Sequence, residues 1–285
     1  MGQAIHWFPG HMNKALNEIK EKIKLVDIVI ELLDTRIPYS SFNDEFEKIV
    51  GNKKRLFVFT KQDLADPEIT NGWIKEFNEQ GKDYVFLDVL HDNVSQVLSK
   101  MIAKLAVEKH EKEKAKGMKP QPVRTMIIGI PNVGKSSLIN KLAKRKVAGV
   151  ENRPGFTRGE QVIKVNNDFM LLDTPGVLPM NYENKKKAMH LALVGSIKEE
   201  ILPTLDMANY LVNFLSENYP NALKERFEII DLSDPMNVFN MIAQKRGLLG
   251  QNGAFLIENA AKLLLKEFKD GKLGRISLEK SLLCL

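Results

Sequence analysis

The order of two short motifs constrains this chain most: Thr60-Lys61-Gln62-Asp63 stands well before the segment GIPNVGKS at residues 129–136. The second segment fills the pattern G-x-x-x-x-G-K-[ST] with Gly129, Gly134, Lys135 and Ser136. In that pattern backbone N–H groups cradle phosphates while the lysine reaches the β- and γ-oxygens. The context is the one the pattern requires, because VRTMII at 123–128 reads as a buried strand and SLINKL at 137–142 starts a helical spacing. A glycine-rich turn between two core elements is the plainer reading, but it explains none of the motifs around it. A phosphate-binding loop is therefore expected, with Asn132, Val133, Gly134, Lys135, Ser136 and Ser137 around the phosphates.

Further along, the apolar run before Asp173-Thr174-Pro175-Gly176 places an aspartate at a strand end. There it can hold a magnesium-bound water, and the Gly176 amide can meet the γ-phosphate. RPGFTR at 153–158 brings Thr157 to the place where a switch loop supplies a hydroxyl to magnesium. Phosphate loop, first switch and second switch then run in the order of a G domain, with Ser136, Thr157 and Asp173 as the magnesium group. Base selection falls to TKQD, which resembles the N-K-x-D guanine signature. Asp63 would accept from the guanine N1–H and exocyclic amine, and Lys61 would pack across the ring. Adenine presents the opposite donor pattern there. Thr60 replaces the usual asparagine, offering a hydroxyl but no amide. Asp88 and Val89, after the strand at 84–87, occupy the place of a fifth guanine motif without its usual Ser-Ala.

A guanine motif that precedes the phosphate loop resembles the circularly permuted GTPases. The segment Trp7-Phe8-Pro9-Gly10-His11-Met12, followed by Asp34-Thr35-Arg36-Ile37-Pro38, is similar to the ribosome biogenesis GTPase A (YlqF) family over nearly the whole chain. The resemblance implies a GTPase using GTP/GDP and Mg2+ in late assembly of the bacterial large (50S) ribosomal subunit, with subunit-stimulated hydrolysis timing release. It implies rRNA and ribosomal proteins as partners and a chain that is monomeric off the ribosome. It also implies a catalytic residue. Val177 follows the second switch motif where a water-orienting glutamine often stands, and valine cannot orient water. In the family the histidine of W-F-P-G-H-M is the proposed substitute, here His11. An imidazole, titrating near about 6.5 when unperturbed, suits that task. The alternative is that Trp7, Phe8 and His11 pack the amino terminus on the sheet. Asn132 resembles the asparagine of GTPases that place K+ between the phosphates, where a cation neutralises developing charge; simple stabilisation of the loop is the other reading.

Composition sets outer bounds. With 285 residues and 44% hydrophobic content the chain can bury a proper core. The single cysteine, Cys284, excludes an internal disulfide framework and suits a reducing cytoplasm. No apolar run approaches the ~18 residues of a membrane span, so no membrane partner is expected. A net charge of +6 is compatible with RNA. The triplets 144–146 and 185–187 are candidates either for phosphate contact or for a solvated face.

The expected fold is α/β: a circularly permuted P-loop G domain over 1–180, its mostly parallel sheet flanked by helices, and an all-helical domain over 181–285. Strands are expected at 26–33, 56–59, 84–87, 123–128, 161–165 and 168–172. Helices are expected at 11–25, at 67–80 with Asp66 as cap and Pro67 first, and at 254–268. Small residues along one side of the last helix suit core packing or a partner. The second switch runs directly into the carboxyl-terminal helices, so nucleotide state has a route by which to move them. Two other classes fit parts of the pattern: a nucleotide-gated RNA-binding scaffold with incidental hydrolysis, and a P-loop kinase, which the DTPG and TKQD motifs and the lack of an evident lid disfavour.

Overall fold

The computed structural model describes residues 10–143, 162–172, 185–197 and 202–282, with residues 10–13 by backbone alone. Six strands, β1 (Ile28–Asp34), β2 (Lys54–Thr60), β3 (Tyr84–Leu87), β4 (Val123–Gly129), β5 (Val162–Lys164) and β6 (Phe169–Leu172), form one sheet in the order β3-β2-β1-β4-β6-β5. All neighbours run parallel except β5 against β6. β1 is buried at every position, as a strand covered on both faces must be, which explains why it is apolar except for Glu31 and the terminal Asp34. The carboxyl ends of β1, β2, β3 and β4 share one edge: Asp34 pairs with Thr60, Thr60 with Leu87 and Leu32 with Gly129. Ligands of open α/β sheets bind at that edge.

Helices between the strands start where the chemistry of their first turns allows. The carboxylate of Asp66 accepts from the N–H groups of Glu68 (2.8 Å) and Ile69 (3.3 Å), and Pro67 takes the first position of the Pro67–Glu79 helix. That helix lays Trp73 and Phe77 on the aromatic face of the sheet formed by Phe57 and Phe59. Phe59 stacks on Phe86 at 4.3 Å between centroids, and Phe77 meets Phe59 edge-on at 4.9 Å. The other face belongs to a single apolar core that continues from Ala15 to Leu278 and takes in the carboxyl-terminal helices.

Those helices are Lys185–Leu193, Thr204–Asn218, Pro220–Phe227, Pro235–Arg246 and Ile257–Lys269. Asp234 caps the fourth through the Met236 N–H at 2.9 Å, and Gly247, at φ +64°, ends it. Ala260 and Ala261 are fully buried, so the small residues of the last helix serve core packing.

The sequence expectations differ from the structure in boundaries more than in kind. The first helix runs over Gly10–Lys22 and tightens to a 3-10 turn at Ile23–Leu25. The last begins at Ile257 rather than at 254, because Phe255 pairs with Leu249 across a turn at Gln251–Gly253. Apolar spacing cannot distinguish that bridge from one more helical turn. Among the described residues no helix is long and apolar enough to cross a membrane.

Candidate nucleotide site

The phosphate loop follows β4 directly. Asn132 and Gly134 both take positive φ, +58° and +105°, a succession that turns backbone N–H groups inward. Lys135 then opens the Lys135–Ala143 helix, whose amino end favours anions. Val133 is buried beneath the loop, while Ser136 and Ser137 are exposed in the helix's first turn. Gly129 is required by close approach: a Cβ there would lie 3.1 Å from the Leu32 carbonyl oxygen and from Val133.

The two separated motifs meet through Thr60. At the end of β2 its side chain is almost wholly buried, and its hydroxyl donates to the carbonyl of Val133 in the phosphate loop. Thr60 therefore joins the guanine-type segment to the phosphate-type segment through its hydroxyl. Next to it Lys61 adopts a left-handed conformation, φ +59°. Its ammonium donates to Asp34 Oδ2 at 2.9 Å. Asp63 sits in the short 3-10 turn Gln62–Leu64 with its side chain exposed at the sheet edge.

Asp34 and Arg36 were visible in the sequence only as part of a family signature; the geometry gives them a task. Arg36 donates from Nε to Asp34 Oδ1 (3.0 Å) and from Nη2 to Oδ2 (2.9 Å), so the carboxylate carries two cations. Burial opposes ionisation most strongly, yet Arg36 and then Lys61 hold the Asp34 carboxyl well below the usual carboxylate range. Lys61 is thus fixed from below by an ionised group. The sequence signal was an acid at a strand's carboxyl end with an arginine two residues on.

In the loop after β3, Asp88 turns back on its own segment, accepting from the N–H groups of Leu90 (2.9 Å) and His91 (3.1 Å) and pairing with His91 Nδ1 (2.6 Å). Burial raises its pKa, but the His91 hydrogen bonds outweigh it and leave it lowered. Val89 is buried. Asn132 donates from Nδ2 to the carbonyl of Gly195 at 2.6 Å, tying the phosphate loop to the turn after the Lys185–Leu193 helix. Lys187, one of the basic triplet at 185–187, donates to the Phe42 carbonyl at 3.0 Å and lies over the Tyr39 ring at 5.5 Å, so it serves packing.

His11 falls in the first turn of the opening helix, but its side chain lies outside the described residues. Thr157, Asp173, Gly176, Val177 and the triplet 144–146 also lie outside them; β6 ends at Leu172. The structure brings Thr60, Lys61, Asp63, Asn132, Val133, Gly134, Lys135, Ser136 and Ser137 to one edge of the sheet, with Asp88 and Val89 in the adjoining loop.

A mostly parallel sheet whose guanine-type segment precedes its phosphate loop, and is hydrogen-bonded to it, defines a circularly permuted GTPase. The family model described as 50S ribosome-binding GTPase matches residues 124–241. Ribosome biogenesis GTPase A of Bacillus pumilus is 42% identical over 97% of this chain and 98% of its own length. Mitochondrial ribosome-associated GTPase 1 of Mus musculus is 32% identical over 97% and 90%. Among solved structures, a GDP-bound YlqF matches with a TM-score of 0.70 and 28% identity, covering 92% of this chain and 98% of that one. A GNP-bound YlqF from T. maritima matches at 0.66 and 28%, covering 94% and 99%. The chain belongs to the ribosome biogenesis GTPase A family.

Proposed function

We propose that this GTPase acts in late assembly of the bacterial large ribosomal subunit, in the cytoplasm, and that GTP hydrolysis times its release from the particle. The observation that carries the nucleotide reading is the Thr60 hydroxyl on the Val133 carbonyl, which puts the base-selecting and phosphate-holding segments in contact. In this reading Lys61 packs on the guanine, Asp63 accepts from its N1–H and amine, and Gly134, Lys135 and the neighbouring amides hold the phosphates. Asp88 and Val89 line the base side through their loop. Ser136, with its exposed hydroxyl, offers the hard oxygen that magnesium prefers. Thr157 would add a second hydroxyl, and Asp173 would act through water. Bound magnesium would neutralise phosphate charge.

His11 orients the attacking water, and it reaches the γ-phosphate on the ribosomal particle. Asn132 has given its amide N–H to Gly195, so its Oδ1 is the atom assigned to potassium. The G domain spans 1–180 and the helical domain 181–285, joined through the second switch, by which nucleotide state moves the helices. The test measures GTP hydrolysis with and without purified large subunits, in potassium and in sodium, for the native protein and His11→Ala. Strong subunit stimulation that the variant loses supports the reading, and a potassium requirement supports Asn132. Absence of stimulation removes the ribosomal partner, and stimulation that survives in His11→Ala removes the histidine.

A further inference from the structure

The segment after the last helix leaves the helical part and lies along the guanine turn. Arg275 donates from Nε to the Ala65 carbonyl (2.7 Å) and from Nη2 to the Gln62 carbonyl (2.9 Å). The Ile276 N–H donates to the Leu64 carbonyl (3.0 Å), and the Ser277 hydroxyl accepts from the Asp66 N–H (3.0 Å). Three carbonyls of the stretch that carries Asp63 are thus held by residues more than 200 positions away. One residue beyond Ser277, the Leu278 N–H donates to the Arg36 carbonyl (2.9 Å). The Arg36 guanidinium, lying 5.8 Å from the centre of the Phe268 ring, in turn fixes Asp34 and through it Lys61.

We infer that residues 275–278 are a clamp that positions both guanine-recognition side chains, with Arg275 the positioning residue for Asp63. This deepens the proposed guanine reading and rests on it. The turn Gln62–Leu64 is a single 3-10 turn preceded by a left-handed residue, geometry that orders weakly on its own. Asp63 itself is exposed, so the direction of its carboxylate depends on how firmly its backbone is held. A carboxylate hydrogen-bonded to a base discriminates only when its distance and direction are fixed. The clamp supplies that restraint from the helical part, which also reaches the phosphate loop through Gly195 and Asn132. Both ends of the nucleotide site therefore depend on the same helical part.

The test compares affinities for GDP and IDP, which differ only in the exocyclic amine from which Asp63 would accept a hydrogen bond, by competition against a fluorescent GDP. Asp63→Ala, Arg275→Ala, Arg275→Lys and Ser277→Ala are measured beside the native chain, each well below its melting temperature. The native protein should prefer GDP by about 10–100-fold, the worth of one hydrogen bond to a charged group. In Arg275→Ala the GDP affinity should fall while that for IDP falls less, shrinking the preference at least about threefold, with Arg275→Lys recovering part through one carbonyl. A purely structural role would lower both affinities alike. An unchanged preference in both Arg275→Ala and Ser277→Ala, with Asp63→Ala abolishing it, overturns the clamp. A native preference that survives in Asp63→Ala overturns the guanine reading itself. Arg275 is an exposed residue lying over the turn rather than within the core, so its truncation leaves no core cavity, and Ser277→Ala tests the same restraint with a milder change.

Discussion

Lys61 and Arg36 approach the Asp34 carboxylate together, the ammonium at 2.9 Å from Oδ2 and the guanidinium at 2.9 Å from the same oxygen. Arg36 is 2% exposed and Asp34 is wholly buried, while the Lys61 side chain is 24% exposed, so the carboxylate and the guanidinium are shut off from water and the ammonium closes the group from the surface.

Asp34→Asn should therefore destabilise the fold by about 3–5 kcal/mol, because it leaves a buried guanidinium uncompensated. Nucleotide affinity should fall with it as Lys61 loses its anchor. Urea unfolding and nucleotide titration read the two effects separately. The folded pKa of Asp34 is depressed, so its contribution is fully present above the unfolded value of about 3.8 and is lost as pH falls through the lower folded value. Acid unfolding of the native chain should show that loss below about pH 4, and Asp34→Asn should lack it.

Thr60→Val keeps the shape of the side chain and removes the donor from the Val133 carbonyl. A buried carbonyl left unsatisfied costs about 1–3 kcal/mol. Nucleotide affinity should fall severalfold through the phosphate loop, and Thr60→Ser should restore it. Isothermal titration with GDP decides the matter.

Glu31 behaves in the opposite sense to Asp34. It stands in the middle of β1, wholly buried, with neither oxygen hydrogen-bonded among the described residues and Arg55 3.3 Å away. Burial is the largest influence and lifts its pKa to about 7, against the pull of Arg55. A raised folded pKa gives a contribution that is complete below the unfolded value of about 4.5 and lost as pH rises towards 7. Glu31→Gln should thus gain about 1–3 kcal/mol over the native chain at pH 8 and nothing at pH 4, measured by denaturant unfolding across that range.

Gly271 sits at φ +73°, and a Cβ there would lie 2.5 Å from Leu64 Cδ2. Gly271→Ala should cost about 1–2 kcal/mol from backbone conformation alone, with steric overlap added. Pairing it with Leu64→Ala relieves the overlap and leaves the backbone cost, so a double-mutant cycle should show a favourable interaction term. A cycle with zero coupling would mean that Gly271 matters only for its conformation.

Most of the fold was legible because its signals are local. Phosphate loop, capped Pro67–Glu79 helix and buried strands each announce themselves within ten or so residues. The meeting of the candidate site's segments at one sheet edge was legible where motif and strand end coincide, as at Thr60–Asp63 and Gly129–Ser136. Arg275 was not, since a surface arginine in a tail carries no period, and its partners are backbone carbonyls that look alike at every position. Nor did the sequence reveal that Thr60 would face the phosphate loop, because that depends on β1 lying between β2 and β4. The continuous core from Ala15 to Leu278 was hidden for the same reason: spacing tells which face of a helix is apolar and not what that face will meet.

The sheet order has one more consequence. The base-selecting segment lies before, and the phosphate segment after, the exposed stretch 117–121, and the two halves of the sheet meet along β1 and β4. A nucleotide seated as proposed crosses that line and acts as a staple between two parts of one chain. Cleaving 117–121 would turn the protein into a complementation pair whose reassembly is driven by GDP, in proportion to ligand concentration over its dissociation constant.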